Sequence, residues 1–416
     1  MGMHTVDFAA HNLIKRLNLS TRAEIHRPWP AVSEEQGGNP QVEQLDKWPT
    51  QFISQPDRNQ INSDDLVLSW GDFQLGRDYQ LQSSKRYQKI LKNRGIHISA
   101  SQALDWCYEY FMLQDVLKNN DVSVASFGTT LFQNNMRDWC EPRYKSAIDR
   151  YFQNCSFAKF RDPYSAWCAS KILDVDPQSL WGVDSALLNT PEELLGIKNT
   201  GYAEQLPKGM IGVYLGRSSR NFSKFRLGTM VKQLSNSLGS PLFWLPWNRF
   251  TGGRLFARRP RLLNSPFINF KSIPAEDPVC AGDIFQLFSS FRLVVTDTYH
   301  VAINAMCLGV PVLCIYEPSP ESNRDANIGY RHAARDKRVL LFTSTNQSDL
   351  LMPSTDLTNT KRRTDKVKHI VDLIDNTQAL ETWRGWLDQE RTKHRQQLDA
   401  LISKEMGLVS SQNESH

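Results

Sequence analysis

The sequence has no hydrophobic run long enough to cross a bilayer. The longest nearly apolar stretch falls short of the ~20 residues that a membrane-spanning helix needs. It runs from Val301 to Tyr316 and contains Asn304, Gly309 and Pro311. The first seven residues also lack the apolar segment of a secretory signal peptide. We therefore expect a cytoplasmic protein.

Several motifs of common enzyme classes are absent as well. The seven cysteines show no CxxC spacing, which argues against a disulfide framework or a zinc site. There is no GxxxxGK[ST] phosphate loop, no HExxH, no GxSxG and no complete GxGxxG. Kinase, zinc-protease and α/β-hydrolase activities are therefore excluded, and we expect neither a metal site nor a resident cofactor.

The composition indicates a folded protein of about two domains. The 416 residues are 40% hydrophobic and 22% charged, enough to bury more than one core. A net charge of +5 is too small for a nucleic-acid-binding surface. The basic run from Arg249 to Lys271 has two interpretations, a solvated loop or a peripheral contact with an anionic membrane surface.

Short β-rich runs alternate with helical patterns in both halves of the chain, which predicts βαβ units and parallel sheets. In the second half, Leu227, Met230, Val231, Leu234 and Leu238 form one apolar helix face that Gly239 ends. The other predicted helices are Ala103 to Leu117, Tyr144 to Tyr151, Ile284 to Phe291, a short helix ending near Gly309, and the charged tail Thr364 to Leu401. The predicted strands are Leu66 to Trp70, Val122 to Phe127, Phe157 to Phe160, Ile211 to Leu215, Leu242 to Leu245, Leu293 to Thr296 and Val310 to Tyr316.

We predict four segments. Residues 1–60 form an irregular N-terminal segment with a helix that belongs to the N-terminal domain. Residues 61–200 and 201–350 are two Rossmann-like domains, and 351–416 is a helical tail. Within the first segment, Arg27 to Arg58 reads as a loop or lid. His4 and Thr5 precede a helix-like run through Leu17, and their entry into a cleft is one interpretation.

Ligands of open parallel sheets bind at the carboxyl ends of the strands, where helix N-termini offer N–H groups and a positive dipole end. At such a position Asp297, Thr298 and Tyr299 follow a strand, and Asp297 or Thr298 could cap the next helix. His300 then falls in the first helical turn. It is either a proton-transfer group or a capping or core histidine.

Other polar residues follow predicted strands at the same edge. Arg217, Ser218, Ser219 and Arg220 make a candidate cradle for phosphate or carboxylate, or a solvated turn. A long loop after Tyr316 either binds the donor or is a solvent-exposed surface loop without a binding role. Its candidate residues are Glu317, Ser319, Asn323, Arg324 and Arg331, and Asp72 and Arg161 occupy equivalent positions in the N-terminal half.

The order and spacing of several short motifs resemble the polysaccharide pyruvyl transferase family. The resemblance extends from about Asp65 to Leu341. Its motifs are Phe160 to Ser165, Asp184 to Leu188, Gly212 to Leu215 followed by Arg217, Phe243 to Pro246, Leu293 to His300, and Ala305 to Val312.

This resemblance implies an α/β, GT-B-like architecture of two Rossmann-type doubly wound domains facing a cleft, with C-terminal helices. It implies pyruvyl transfer from phosphoenolpyruvate, as donor substrate, to hydroxyls of a glycan or lipid-linked sugar in exopolysaccharide biosynthesis, with His300 as the family histidine. The family typically has Arg-Leu-His where this chain has Thr298, Tyr299 and His300. Arg217, Arg220, Arg324 and Arg331 are the candidates to replace the missing arginine.

Two alternatives remain open at this point. The first is a GT-B glycosyltransferase that uses a nucleotide sugar, with Glu317 and Arg331 holding the ribose and the diphosphate. The second is a catalytically silent homologue that binds a glycan or a partner. The acceptor sugar and the oligomeric state are not indicated by the sequence.

Overall fold

The computed structural model describes most of the chain as two compact units. The C-terminal unit contains residues 2–9 and 186–392, and the N-terminal unit contains 10–26, 52–185 and 393–407, so far as these are described. None of the helices in these ranges is both long and apolar enough to cross a membrane. The described residues are 2–19, 25–26, 52–53, 61, 65–71, 74–93, 95–119, 122–131, 136–216, 224–245, 247, 270–272, 280–318 and 336–407.

All strand pairings in these residues are parallel. The strands are β1 (Ile25–His26), β2 (Phe52–Ile53), β3 (Leu66–Trp70), β4 (Ser123–Thr129), β5 (Cys155–Phe160), β6 (Met210–Tyr214), β7 (Leu242–Trp244), β8 (Phe270–Ser272), β9 (Phe291–Thr296), β10 (Val312–Tyr316) and β11 (Leu351–Pro353). β1 pairs with β2 in a short ladder of its own.

Helices connect most of these strands. They are α1 (Gly2–Arg16), α2 (Arg77–Asn93), α3 (Ala100–Met112), α4 (Val116–Asn119), α5 (Met136–Trp139), α6 (Pro142–Gln153), α7 (Pro163–Leu173), α8 (Pro191–Leu195), α9 (Lys224–Leu238), α10 (Ala281–Ser289), α11 (Tyr299–Cys307), α12 (Lys337–Ser344), α13 (Ser354–Thr358), α14 (Thr360–Asp375) and α15 (Thr377–Glu405). Short 3₁₀ helices cover Pro177–Leu180, Ser185–Leu188, Tyr202–Gln205 and Ser348–Leu350.

The C-terminal unit is built on a six-stranded sheet with the order β11-β10-β9-β6-β7-β8. When the sheet is followed from β8 to β11 and β6 is counted as the first strand, this is the order 3-2-1-4-5-6 of the Rossmann fold. All five residues of β6 are buried, and so are four of the five in β10. Such continuous burial is typical of parallel strands covered on both faces. The predicted apolar face of α9 is confirmed, since its five residues are buried and Gly239 follows with φ +61°.

The N-terminal unit contains a three-stranded sheet with the order β3-β4-β5. Its core is rich in aromatic rings that are fully buried, among them Phe127, Phe152 and Phe160. Two buried tyrosines satisfy their hydroxyls inside this core. Tyr144 donates to the Leu75 carbonyl at 2.8 Å, and Tyr151 donates to Ser69 Oγ at 2.7 Å. The aromatic core is therefore also tied by hydrogen bonds to the chain around β3.

The prediction of an α/β protein with parallel sheets is confirmed, with local corrections. The predicted helix Ala103 to Leu117 is broken, because Leu113 takes a left-handed conformation with φ 53°. The helix predicted to reach Phe291 ends at Ser289, and Phe291 begins β9. The charged tail is helical as predicted but is divided at Asn376. The loop predicted from Arg27 to Arg58 lies outside the described residues except for β2, and the four predicted segments stay predictions.

Two glycines in helices give a test of the local packing. A Cβ on Gly282 in α10 would lie 2.3 Å from the Lys198 carbonyl oxygen and 2.6 Å from that of Ile197, whereas one on Gly385 in α15 would meet no atom within 4 Å. We expect Gly282→Ala to lower the free energy of unfolding by about 1 to 3 kcal/mol. Gly385→Ala should raise it by about 0.5 to 1 kcal/mol. Urea unfolding of both variants measures these changes, and a neutral Gly282→Ala would contradict the close packing.

Candidate functional site

The loops after β6, β9 and β10 all leave the same edge of the C-terminal sheet, because the three strands are parallel neighbours. The strand order reverses between β6 and β9. From β6 the chain continues to β7 and β8 on one side, while β9, β10 and β11 lie on the other. Open α/β sheets bind ligands outside the carboxyl ends of the strands at such a reversal. We therefore take this edge as the candidate site.

A buried carboxylate joins the loops on either side of the reversal. Asp297, immediately after β9, is fully buried, and its Oδ1 accepts hydrogen bonds from the Gly216 amide at 2.8 Å and from Thr298 Oγ1 at 2.9 Å. A Cβ on Gly216 would lie 2.6 Å from the Tyr214 hydroxyl oxygen. Because Gly216 has no side chain, the backbone after β6 can pass close to the Tyr214 ring. In that position the Gly216 amide reaches the Asp297 carboxylate.

His300 lies in the first turn of α11, as predicted. Thr298 is the N-cap residue in an extended conformation, and its amide donates to Thr296 Oγ1 at 3.1 Å. The His300 side chain is half-buried, and its ring meets the Tyr299 ring edge-to-face with centroids 5.5 Å apart. Tyr299 itself is 3% exposed. The imidazole is therefore oriented beside a fixed aromatic ring at the strand reversal.

Two cations at the start of α12 lie close to these residues, and the sequence analysis did not identify them. Lys337 Nζ lies 4.7 Å from the centroid of the Tyr299 ring. Arg338 Nη1 donates to the carbonyl oxygens of Asp297 at 2.9 Å and Ile315 at 3.2 Å, so it links the ends of β9 and β10. The signal was the sequence Asp336-Lys337-Arg338 before an apolar run, which is typical of a capped helix start.

The neighbouring carboxylate fixes the charge of Arg338. Asp336 caps α12 by accepting from the Arg338 amide at 2.8 Å, and the two side chains form an ion pair. Burial alone would lower the pKa of Arg338, but this pairing more than offsets burial and raises that pKa above its ordinary value. Arg338 is therefore a permanent cation whose hydrogen-bonding capacity is used in holding the strand ends together.

Only some of the other predicted site residues can be placed. Glu317 follows β10 directly and is exposed, consistent with a place at the same edge. Arg161 is 8% exposed and pairs with Asp184 at 2.9 Å inside the N-terminal unit. The remaining predicted residues lie outside the described part of the chain, and all the predicted roles stay predictions. These residues are Asp72, Arg217, Ser218, Ser219, Arg220, Ser319, Asn323, Arg324 and Arg331.

A second buried polar cluster lies at the carboxyl ends of β4 and β5. Asp162 caps α7 by accepting from the Ser165 amide at 2.8 Å, and it also accepts from the hydroxyls of Thr130 at 2.5 Å and Ser165 at 2.7 Å. Burial raises the pKa of Asp162, while these hydrogen bonds oppose the shift. These partners all lie in the N-terminal unit, so we assign this cluster a structural role. No group of three or more candidate metal ligands occurs among the described residues.

The Asp297 contacts predict a measurable contribution to stability. Asp297→Ala removes the acceptor from two donors, so we expect it to lower the free energy of unfolding by about 2 to 4 kcal/mol. Asp297→Asn keeps one acceptor oxygen and should cost less. Asp375→Ala is a control, because Asp375 forms an exposed ion pair with Arg292 and should cost below about 1 kcal/mol. Equal effects of Asp297→Ala and Asp375→Ala in thermal unfolding would contradict the structural role of Asp297.

Comparison with solved structures found distant similarity at low sequence identity. A UDP-GlcNAc 2-epimerase from Neisseria meningitidis bound to UDP-GlcNAc is 12% identical, with a TM-score of 0.41 over 80% of this chain and 81% of that one. A putative UDP-N-acetylglucosamine 2-epimerase from Listeria monocytogenes is 14% identical, with a TM-score of 0.32 over 73% and 90%. A variant of the wall teichoic acid polymerase TagF is 13% identical, with a TM-score of 0.27 over 82% and 92%.

Comparison with the curated proteins gave no significant match. A family model, in contrast, matches residues 9–319, which is about three quarters of the chain and includes β9, α11 and β10. The matched region therefore contains both sides of the strand reversal at which Asp297 and His300 lie. On this match, the chain belongs to the polysaccharide pyruvyl transferase family.

Proposed function

We propose that this protein transfers a pyruvyl group from phosphoenolpyruvate to hydroxyls of a glycan or of a lipid-linked glycan precursor, with His300 as the proton-transfer group. The observation that carries the proposal is the position of His300. It lies in the first turn of a helix at the strand reversal of a Rossmann sheet, in a chain of the pyruvyl transferase family.

The proposed reaction makes a ketal. A general acid protonates the methylene carbon of phosphoenolpyruvate, which makes the neighbouring C2 carbon electrophilic. One acceptor hydroxyl adds to C2, and a second hydroxyl then replaces the phosphate, which leaves as inorganic phosphate. The two acceptor hydroxyls lose one proton each. One of these protons returns to the general acid, which gave its own proton to the methylene carbon, and the other leaves with the phosphate or passes to the solvent. A single proton-transfer group near C2 is enough for the first step.

The surroundings of His300 suit this role. A dianion bound beside the ring would favour the protonated imidazolium. Binding of the donor would thus favour protonation of His300, which then transfers this proton to the methylene carbon. The edge-to-face contact with Tyr299 supports this proposal because it limits the orientations of the ring.

Lys337 is our candidate for the cation that replaces the family arginine at the position of Thr298. The support for this choice is that its ammonium group and the His300 imidazole both contact the Tyr299 ring. Arg338 is less suitable, because it is paired with Asp336 and bonded to two carbonyl groups. The proposal adds Lys337 to the four arginines that were predicted from the sequence.

Replacement of His300 tests its assignment. His300→Gln removes the titratable ring, so we expect kcat for pyruvyl transfer to fall by about 10² to 10⁴. The matched control is His369→Gln, because His369 is exposed on α14 and its replacement should leave kcat unchanged. Turnover is followed by phosphate release from phosphoenolpyruvate, and circular dichroism checks the fold. Near-normal turnover of a folded His300→Gln variant would refute the assignment.

A thermal-shift titration tests the donor and Lys337 together. Phosphoenolpyruvate at 100 times its dissociation constant should add about 2.7 kcal/mol of stability. Lys337→Met should weaken this binding about thirtyfold or more, because losing one partner of a desolvated charge pair commonly costs about 2 to 5 kcal/mol. Lys368→Met, which removes an exposed lysine on α14, should leave the binding unchanged.

The same titration distinguishes the alternatives. Stabilisation by a nucleotide sugar and not by phosphoenolpyruvate would replace our proposal with a glycosyltransferase. Stabilisation by neither ligand would favour a catalytically silent family member. If phosphoenolpyruvate binds the wild-type protein and the Lys337→Met variant equally well, the donor assignment stands and the role of Lys337 is wrong.

A further inference from the structure

The N-terminal helix contributes a fully buried hydroxyl to the helix that carries His300. Thr5 in α1 and Asn304 in α11 both have no exposed surface, although 299 residues separate them in the sequence. Thr5 Oγ1 donates to Asn304 Oδ1 at 2.5 Å. The sequence suggested that Thr5 could enter a cleft; the structure instead encloses it in the C-terminal unit.

The contact continues from Asn304 to His300. Asn304 Nδ2 donates to the His300 carbonyl oxygen at 2.6 Å, so the same amide group joins the Thr5 hydroxyl to the first turn of α11. On the other side, Asn189 Nδ2 donates to the Thr5 carbonyl oxygen at 2.8 Å. Asn189 is also fully buried, and it donates to the Ala186 carbonyl at 3.0 Å. Thr5 is therefore held from both its backbone and its side chain.

These partners fix the orientation of the Asn304 amide. An asparagine amide has one oxygen that accepts and one nitrogen that donates. The Thr5 hydroxyl occupies the oxygen, which turns the nitrogen toward the His300 carbonyl. Asn304 is also four residues after His300, so the two side chains lie on the same face of α11. A displacement of Asn304 would therefore be transmitted directly to the turn that carries the imidazole.

Packing alone does not explain the buried hydrogen bonds that connect Asn189, Thr5, Asn304 and His300. A buried polar pair loses hydration, and apolar side chains of the same shape can fill such a space at no loss of stability. A satisfied polar network instead specifies one geometry, because any other arrangement leaves a buried donor or acceptor without a partner. The geometry specified here is that of the first turn of α11 relative to α1.

We propose that Thr5 is a positioning residue that places His300 through the side chain of Asn304. This inference rests on the proposed function, because it assigns Thr5 to the same proton-transfer step. Thr5 acts on the orientation of the imidazole and not on the binding of donor or acceptor. It gives residues at the N-terminus a role in the site of the C-terminal unit.

The test compares three replacements in α1 of the full-length protein. Thr5→Val keeps the shape of the side chain and removes its donor, Thr5→Ser keeps the donor, and Val6→Ala is the control for a loss of packing at the adjacent, 5% exposed position. For Thr5→Val we expect kcat to fall about tenfold or more while KM for phosphoenolpyruvate changes less than about twofold. Thr5→Ser should restore kcat to within about twofold of the wild-type value, and Val6→Ala should retain it.

An NMR measurement makes the result independent of turnover. The ring Cε1–H resonance of His300 is assigned by its loss in His300→Gln. We expect Thr5→Val to shift this resonance, while Thr5→Ser and Val6→Ala leave it in place. If Thr5→Val does not fold, Asn189→Ala replaces it, since that change releases the Thr5 carbonyl and should also shift the resonance and lower kcat.

The outcomes separate the two proposals. If the wild-type protein releases no phosphate from phosphoenolpyruvate with any acceptor, the proposed function fails, and the His300 resonance alone decides whether Thr5 positions the ring. If the wild-type protein is active and Thr5→Val leaves both kcat and the resonance unchanged, the positioning role is wrong and the proposed function stands. Equal losses of kcat in Thr5→Val and Val6→Ala would reduce Thr5 to a packing residue.

Discussion

The hydrogen bond from the Gly216 amide to the Asp297 carboxylate is the contact on which the geometry of the candidate site depends. The pairing of β6 with β9 ends at Tyr214 and Thr296, and beyond these residues the chain continues to opposite sides of the sheet, so a further contact is needed to join the two loops. A fully buried carboxylate is stable only when donors satisfy it. Asp297 meets this requirement with two donors, the Gly216 amide from the β6 side of the reversal and the hydroxyl of Thr298, the cap residue of α11. The need to satisfy this charge thus holds the start of α11, and with it His300, close to the end of β6.

Much of the fold could be predicted from the sequence because local signals and tertiary structure agree there. Parallel strands that are buried on both faces give short apolar runs, and the predicted strands at Leu66, Leu242 and Leu293 match β3, β7 and β9 within a few residues. The errors have local physical causes. α2 was missed because it is a strongly polar helix with few apolar residues, although its amphipathicity matches that of α3. The prediction merged α3 with α4 because the left-handed Leu113 has no sequence signal of its own.

Only those residues of the candidate site that directly follow a predicted strand could be predicted from the sequence. The position of His300 in the first turn of α11 was predicted because a strand, a cap and a helix are consecutive in the sequence. Lys337 and Arg338 were missed because the long loop after Tyr316 gave no clear sign of where it ends and α12 begins. The hydrogen bond from Thr5 to Asn304 could not be inferred, because the two residues are far apart in the sequence. Contacts of this second kind depend on how distant segments pack, which composition and periodicity do not specify. In our proposal, the contact of Thr5 with Asn304 also sets the orientation of the imidazole.

The separation of 299 residues between Thr5 and Asn304 has a consequence for biosynthesis. At about 5 to 20 residues per second, a ribosome that has made the first of these residues needs roughly 15 to 60 s to reach the second. During that interval the nascent α1 has no α11 against which to dock. Residues 2–9 of this helix, which belong to the C-terminal unit, therefore stay uncovered by α11 until then. Burial of Thr5 against Asn304 therefore cannot precede translation of α11.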